Sequence, residues 1–157
     1  MANNEYRKLP VGIQSFNVIR EEGYLYVDKT DMIWKLANQG FKYNYLSRPR
    51  RFGKSVLVDT LQAYFEGRKD LFKGLKIMEL EKDWKQYPVI RLDMSRGGAT
   101  ADEVKAYLDQ TFDVYEQLYG IHIKPTDSLG NRFDLIIKTA YKQTGLKVAI
   151  LIDEYDS

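Results

Sequence analysis

The chain has 157 residues, 18.4 kDa, with 44% hydrophobic and 13% aromatic residues, which is the composition of a globular domain rather than of a disordered tail. It contains no cysteine and one histidine, which excludes a disulfide framework, a thiolate metal site and a multi-histidine metal cluster. Its 24 basic and 22 acidic residues nearly cancel, and its longest aliphatic run, Val148 to Ile152, is far too short to span a bilayer. No charged-then-apolar leader pattern opens the sequence, so a cytoplasmic location without membrane partners is expected.

In chain order, residues 13–22 read as a short helix stopped by Gly23, and Tyr24–Val27 as a strand by aromatic and β-branched content. Thr30 is placed to cap a helix with Ile33, Leu36 and Ala37 on one face, closed by Gly40. Phe41, Tyr43 and Tyr45 alternate with Lys42 and Asn44, the pattern of a strand running to Leu46. A basic loop follows, then a helix with Leu57, Leu61, Tyr64 and Phe65 at helical spacing, ending near Gly67. Residues 68–87 are charged and weakly periodic, as in short helical turns, and Pro88 opens a strand from Val89 to Met94. Arg91 and Asp93 on that strand are expected to pair with neighbours rather than ligands.

Thr100 and Glu103 form a capping box for a helix reaching Tyr119, with a stripe of Val104, Tyr107, Leu108, Thr111, Val114, Tyr115 and Leu118. Asn131 is placed to cap a further helix carrying Phe133, Ile136, Ile137, Ala140 and Tyr141, stopped by Gly145. Val148–Ile152 is continuously apolar, as in a central parallel strand covered on both faces. Trp34 and Trp84 read as packing anchors and His122 as a structural or surface residue. Strands separated by helices give an α/β class: a largely parallel sheet flanked by helices.

The near-neutral total conceals two poles. Met32 to Val58 contains no acid but holds Lys35, Lys42, Arg48, Arg50, Arg51 and Lys54, whereas the chain ends Asp153-Glu154-Tyr155-Asp156-Ser157. A basic block facing an acidic tip is what a phosphate-plus-metal site requires. Gly53-Lys54-Ser55 stands between a predicted strand and a predicted helix, the context of a phosphate-binding loop. Helix-start amides and the helix dipole favour an anion, Lys54 reaches the terminal phosphates, Ser55 ligates Mg²⁺ and Gly53 lets the backbone approach. The triplet alone arises by chance in roughly one chain in ten of this length. The glycine that the full motif places five residues before Gly53 is Arg48 here, so the strand-before, helix-after placement carries the argument.

The second element is the apolar run that ends in Asp153 and Glu154. A buried strand delivers Asp153 to hold Mg²⁺ through water and alongside Ser55, and Glu154 to polarise the attacking water. The two elements lie 99 residues apart in the expected order, each at the C-terminal end of a strand, where open α/β sheets bind ligands. They point together to ATP and Mg²⁺. Arg50 and Arg51 are either phosphate clamps, nucleic-acid contacts or a solvated loop.

Five segments carry a family resemblance: Leu9-Pro10-Val11-Gly12-Ile13, Gly23 to Thr30, Leu46 to Ser55, Ala63-Tyr64-Phe65-Glu66-Gly67, and Ile152 to Asp156. In this order they resemble the bacterial AAA-ATPase-like family, whose members often carry a C-terminal nuclease-like domain of the PD-(D/E)XK type. The resemblance covers essentially the whole chain and includes arginine at position 48, so Arg48, Pro49, Arg50, Arg51, Phe52, Gly53, Lys54 and Ser55 are expected to line the nucleotide. It implies a P-loop NTPase-like fold over residues 1–157, with an N-terminal extension over 1–40 and a nucleotide-binding core over 41–157. Glu154 and Lys54 would be catalytic, and Ser55 and Asp153 would hold the metal.

Ser157 stands where the family usually has lysine. Family members continue beyond the Asp-Glu strand into two further core strands, a sensor, any arginine finger and the nuclease-like domain. The chain therefore reads as the N-terminal portion of an ATPase, with its sheet either re-paired or completed by another chain, and with nucleic acid a partner only of the full-length protein. Three functions follow from this reading: an ATPase, a nucleotide-gated switch without significant hydrolysis, or an inactive scaffold.

Overall fold

Nine glycines of positive φ lie among the described residues, most of them close to the ends of helical segments. A computed structural model describes residues 6–40, 42–47 and 53–154. The chain divides into two compact units, Met1–Lys85 and Gln86–Ser157. Among the described residues, no helix is long and apolar enough to cross a membrane.

The described part of the first unit is helical: α1 (Phe16–Glu21), α2 (Thr30–Asn38), α3 (Lys54–Phe65), a 3-10 turn (Lys69–Phe72) and α4 (Ile77–Leu80). Its core is aromatic. Phe16 and Phe72 are fully buried, with ring centroids 5.0 Å apart, and Tyr26 meets Phe16 edge-on at 5.2 Å. Trp84 packs on Phe72 and Tyr64, the anchor role expected of it. Burying each such ring contributes about 2 kcal/mol or more. Arg20 ties α1 to the following turn, its Nε and Nη2 donating to the carbonyls of Leu71 and Lys73 at 2.7 and 2.6 Å.

Two predicted strands are absent. Tyr24–Val27 has no strand ladder: Tyr24 N–H donates to Ile19 C=O, Leu25 N–H to Lys8 C=O, and Tyr26 serves as a packing ring. Residues 43–46 are not a strand either, and Phe41 lies outside the described residues. Alternation and aromatic content give strand propensity, but a strand exists only with a partner, and the described residues of this unit contain none.

Thr30 does not cap α2; it is the helix's first residue, with Lys29 at the cap position. Its buried hydroxyl donates to Asp28 Oδ1 at 2.6 Å and accepts from Ile77 N–H at 3.1 Å. Asp28 also accepts the Thr30 and Lys76 amides at 2.9 and 2.7 Å, so the pair fastens the entry of α2 to the start of α4. Burial pushes the Asp28 carboxyl up, but the hydrogen bonds from Thr30 and Lys76 outweigh it and hold it below its ordinary value of 3.8. The stabilisation is therefore complete above the unfolded value and is lost as pH falls through the lower folded one. Asp28→Asn is expected to remove part of the stability at neutral pH and to flatten its fall below about pH 4, as read from denaturant midpoints against pH.

The second unit holds β1 (Val89–Asp93), a 3-10 turn (Met94–Gly97), α5 (Ala101–Tyr119), α6 (Leu129–Thr144) and β2 (Ala149–Asp153). β1 and β2 pair in parallel, Val89 opposite Ala149 through Asp93 opposite Asp153, with both helices in the crossover between them. Ile90 and Leu92 form the core with Phe112 of α5 and Ile136 of α6. The Thr100–Glu103 capping box forms as expected. The α6 cap is Ser128, whose hydroxyl accepts the Asn131 amide, so Asn131 sits inside the helix it was expected to start.

The α5 face keeps Val104, Tyr107, Leu108, Thr111 and Tyr115 of the expected stripe partly buried but not its other two residues. Val114 and Leu118 are exposed, while Phe112 and Glu116 are buried. Tyr107 and Tyr115 of the expected stripe do face the sheet, their hydroxyls accepting the Asp93 and Arg91 amides at 2.8 and 2.9 Å. β2 is not covered on both faces, since Ile150 and Ile152 are 38% and 49% exposed.

Candidate functional site

The two elements singled out by the sequence fall in different units. In the first, α3 begins at Lys54, and its cap residue Gly53 has φ 74°, a left-handed conformation that disfavours any side chain. A Cβ at Gly53 would meet nothing within 4 Å, so backbone conformation, rather than crowding, is what calls for glycine. No side chain caps this helix and its first turn carries no acidic residue, so Lys54 and Ser55 stand at the positive end of the helix dipole. Arg48, Pro49, Arg50, Arg51 and Phe52 lie outside the described residues.

In the second unit, β2 ends at Asp153, which is 4% exposed. Glu154 follows with φ 54°, left-handed and sterically costly for a residue with a side chain. This turn directs the Glu154 amide back onto Asp153 Oδ1 at 3.0 Å, and Glu154 itself is half-buried. The second Asp153 oxygen faces Arg91 Nη2 at 3.6 Å. Asp93, beside Asp153 in the register, accepts the amide and hydroxyl of Ser95 at 3.1 and 2.6 Å and pairs with Arg96 at 3.3 Å. The expectation that Arg91 and Asp93 pair with neighbours holds for both.

A family model described as Predicted AAA-ATPase matches residues 10–157. The chain belongs to this family. It is also 40% identical over 154 residues to a protein of Azotobacter chroococcum mcd 1 described as "Uncharacterized protein in vnfD 5'region", covering 96% of the chain. The chain spans 29% of that relative's length. No solved structure matches the chain.

Membership of the AAA-ATPase-like family points to ATP binding. The donor chemistry fits the Mg²⁺ that accompanies ATP: the Ser55 hydroxyl and the Asp153 carboxylate are hard oxygen ligands. Among the described residues there is no group of three or more metal-ligating side chains.

One buried cluster went unread in the sequence. Arg132 of α6 forks onto Glu116 with Nε and Nη2 at 2.8 Å each, and also reaches Asp109 at 2.6 Å and Asp113 at 2.7 Å. The bonds to Glu116 work against burial and, with the charges of Asp113 and Asp109, raise the guanidinium above its ordinary range. Asp109, Asp113 and Glu116 lie on one face of α5 at helical spacing, which was the available signal, but a partner sixteen or more residues away was not deducible from it.

Proposed function

We propose that the protein binds Mg-ATP and, in its intact form, hydrolyses it. What carries the reading is the combination of a Gly-Lys-Ser helix start at left-handed Gly53 with a carboxylate pair at the tip of a parallel strand, in a chain of the AAA-ATPase-like family. Arg48 to Ser55 form the phosphate loop, with Lys54 neutralising the terminal phosphates and the first-turn amides of α3 donating to them. Ser55 and Asp153 hold the cation. When bound, Mg²⁺ would supply positive charge against the triphosphate.

Glu154 accepts the proton of the water that attacks the γ-phosphorus, and ADP leaves with its bridging oxygen as inorganic phosphate forms. A carboxylate placed for this task favours a water acceptor over a small-molecule acceptor. The left-handed backbone at Glu154 supports that role, because strain of this kind persists where the surroundings impose it. Removal of metal tests the assignment. ATP is expected to bind at least about tenfold more tightly with Mg²⁺ than in excess chelator, measured by equilibrium titration. Equal affinity under the two conditions would remove Ser55 and Asp153 from the metal site.

A further inference from the structure

We propose that the first unit carries a cationic face that takes the phosphate backbone of a nucleic acid without reading its sequence. Charge is divided unevenly between the two units. Met1–Lys85 holds sixteen basic against eleven acidic residues, whereas Gln86–Ser157 holds eight against eleven. Within the first unit, separate chain segments bring cations together around Arg20. Its guanidinium donates to the carbonyls of Leu71 and Lys73, which holds the segment carrying Lys73 and Lys76 against α1. The Lys76 amide donates to Asp28 at 2.7 Å, which brings Lys29, the next residue, to the same place. The Lys8 carbonyl accepts the Leu25 amide at 2.9 Å, so the segment of Arg7 and Lys8 runs alongside. Burial, and after it the charge of Arg7, lowers the Arg20 guanidinium below its ordinary value, as expected of cations crowded on one face.

Arg7, Lys8, Lys29, Lys73 and Lys76 are exposed, and none forms an ion pair among the described residues. The acids of the neighbouring segments are engaged elsewhere. Asp28 takes the Thr30 and Lys76 amides, Glu21 pairs with Arg68 at 3.6 Å, Glu22 accepts the Tyr24 hydroxyl and Asp31 pairs with Lys35 at 3.8 Å. Glu79 of α4 is exposed and offsets one charge. Cations of one sign gathered on a face attract a polyanion, and duplex DNA carries about one charge per 1.7 Å of its axis. Four of the five exposed cations are lysines. These are compact point charges on flexible stems, suited to phosphate oxygens rather than to bidentate contact with a base edge. A lipid surface fits this face less well. The bordering helices bury their apolar residues, Phe16 and Ile19 of α1 and Ile77 of α4, which leaves no apolar helix face to enter a bilayer interface.

The test follows a fluorescein-labelled DNA duplex of about 20 base pairs binding to the protein by anisotropy, between about 20 and 200 mM KCl. Nucleotide is left out, so the result stands apart from the ATP site. The expected slope of log affinity against log salt is about −3 to −4.5, the value for three to five neutralised phosphates. Lys73→Gln combined with Lys76→Gln is expected to reduce that slope by about 2 and to weaken low-salt binding on the order of tenfold. Arg7→Gln combined with Lys8→Gln, on a different segment, should do the same, and decides the matter if the first pair does not fold. Lys73→Arg with Lys76→Arg keeps the charge and should stay within about threefold of wild type. No binding at the lowest salt overturns the proposal, and so does wild-type slope and affinity in the glutamine variants. Tighter binding to phosphatidylserine vesicles than to the duplex, lost in the same variants, would assign the face to a membrane and overturn it too.

Discussion

Glu154→Gln is expected to lower ATP turnover in the intact protein by about 10²–10⁴-fold while leaving Mg-ATP affinity within about threefold. The substitution keeps the size of the side chain and the backbone amide on Asp153, and removes only the capacity to take a proton from water. A base that acts in the transition state alone changes turnover without changing ground-state binding. Steady-state phosphate release and nucleotide titration on the same preparations separate the two. A nucleotide-gated switch would respond differently: its turnover is negligible before the substitution, and its nucleotide-dependent partner binding survives it.

Arg132→Ala is expected to cost about 3–5 kcal/mol of stability. The arginine and Glu116 are both nearly inaccessible, with side chains 7% and 5% exposed, and the guanidinium also lies over the Phe112 ring at 5.9 Å. Truncation leaves Glu116 buried without its fork and removes a tie between α5 and α6. The exposed Asp109 and Asp113 contribute less, because water screens them. Denaturant unfolding of the single variant and of Arg132→Met with Glu116→Leu checks the cause. The double variant is expected to recover most of the loss, since replacing a buried ion pair with apolar groups is far less costly than breaking it. A double variant as unstable as the single one would assign the loss to packing instead.

What could be read from the residues was mainly local chemistry. The start of α3 at Lys54, the Thr100–Glu103 box, the β1 segment and the carboxylate at the end of β2 depend on neighbours within a few positions, and each appears where the spacing placed it. The Asp153–Glu154 pair was legible as the acidic end of an apolar strand, but the turn that brings Glu154's amide onto Asp153 was not, because left-handed φ at glutamate has no sequence signal.

The misreadings share one physical cause, a partner distant in sequence. Tyr24–Val27 has strand composition but its amides go to Ile19 and Lys8. Thr30 resembles a cap, yet its hydroxyl is claimed by Asp28 and by the Ile77 amide 47 residues on. On α5, Glu116 is buried in place of the expected Val114 and Leu118 because Arg132 of α6 pairs with it. The pairing of Arg91 with Asp153 depends on a register between strands that α5 and α6 separate in the chain.

Calorimetric titration of Mg-ATP into wild type and Lys54→Ala tests the central claim most directly. Lys54 is the point charge assigned to the phosphates, and losing a charge-assisted contact of that kind weakens binding on the order of tenfold to a hundredfold. The expected result is saturable Mg-ATP binding by the wild type and a loss of that size in Lys54→Ala, with the variant's melting temperature without nucleotide unchanged. Equal affinity in the two proteins would contradict the assignment of the Gly53-Lys54-Ser55 turn as the phosphate site.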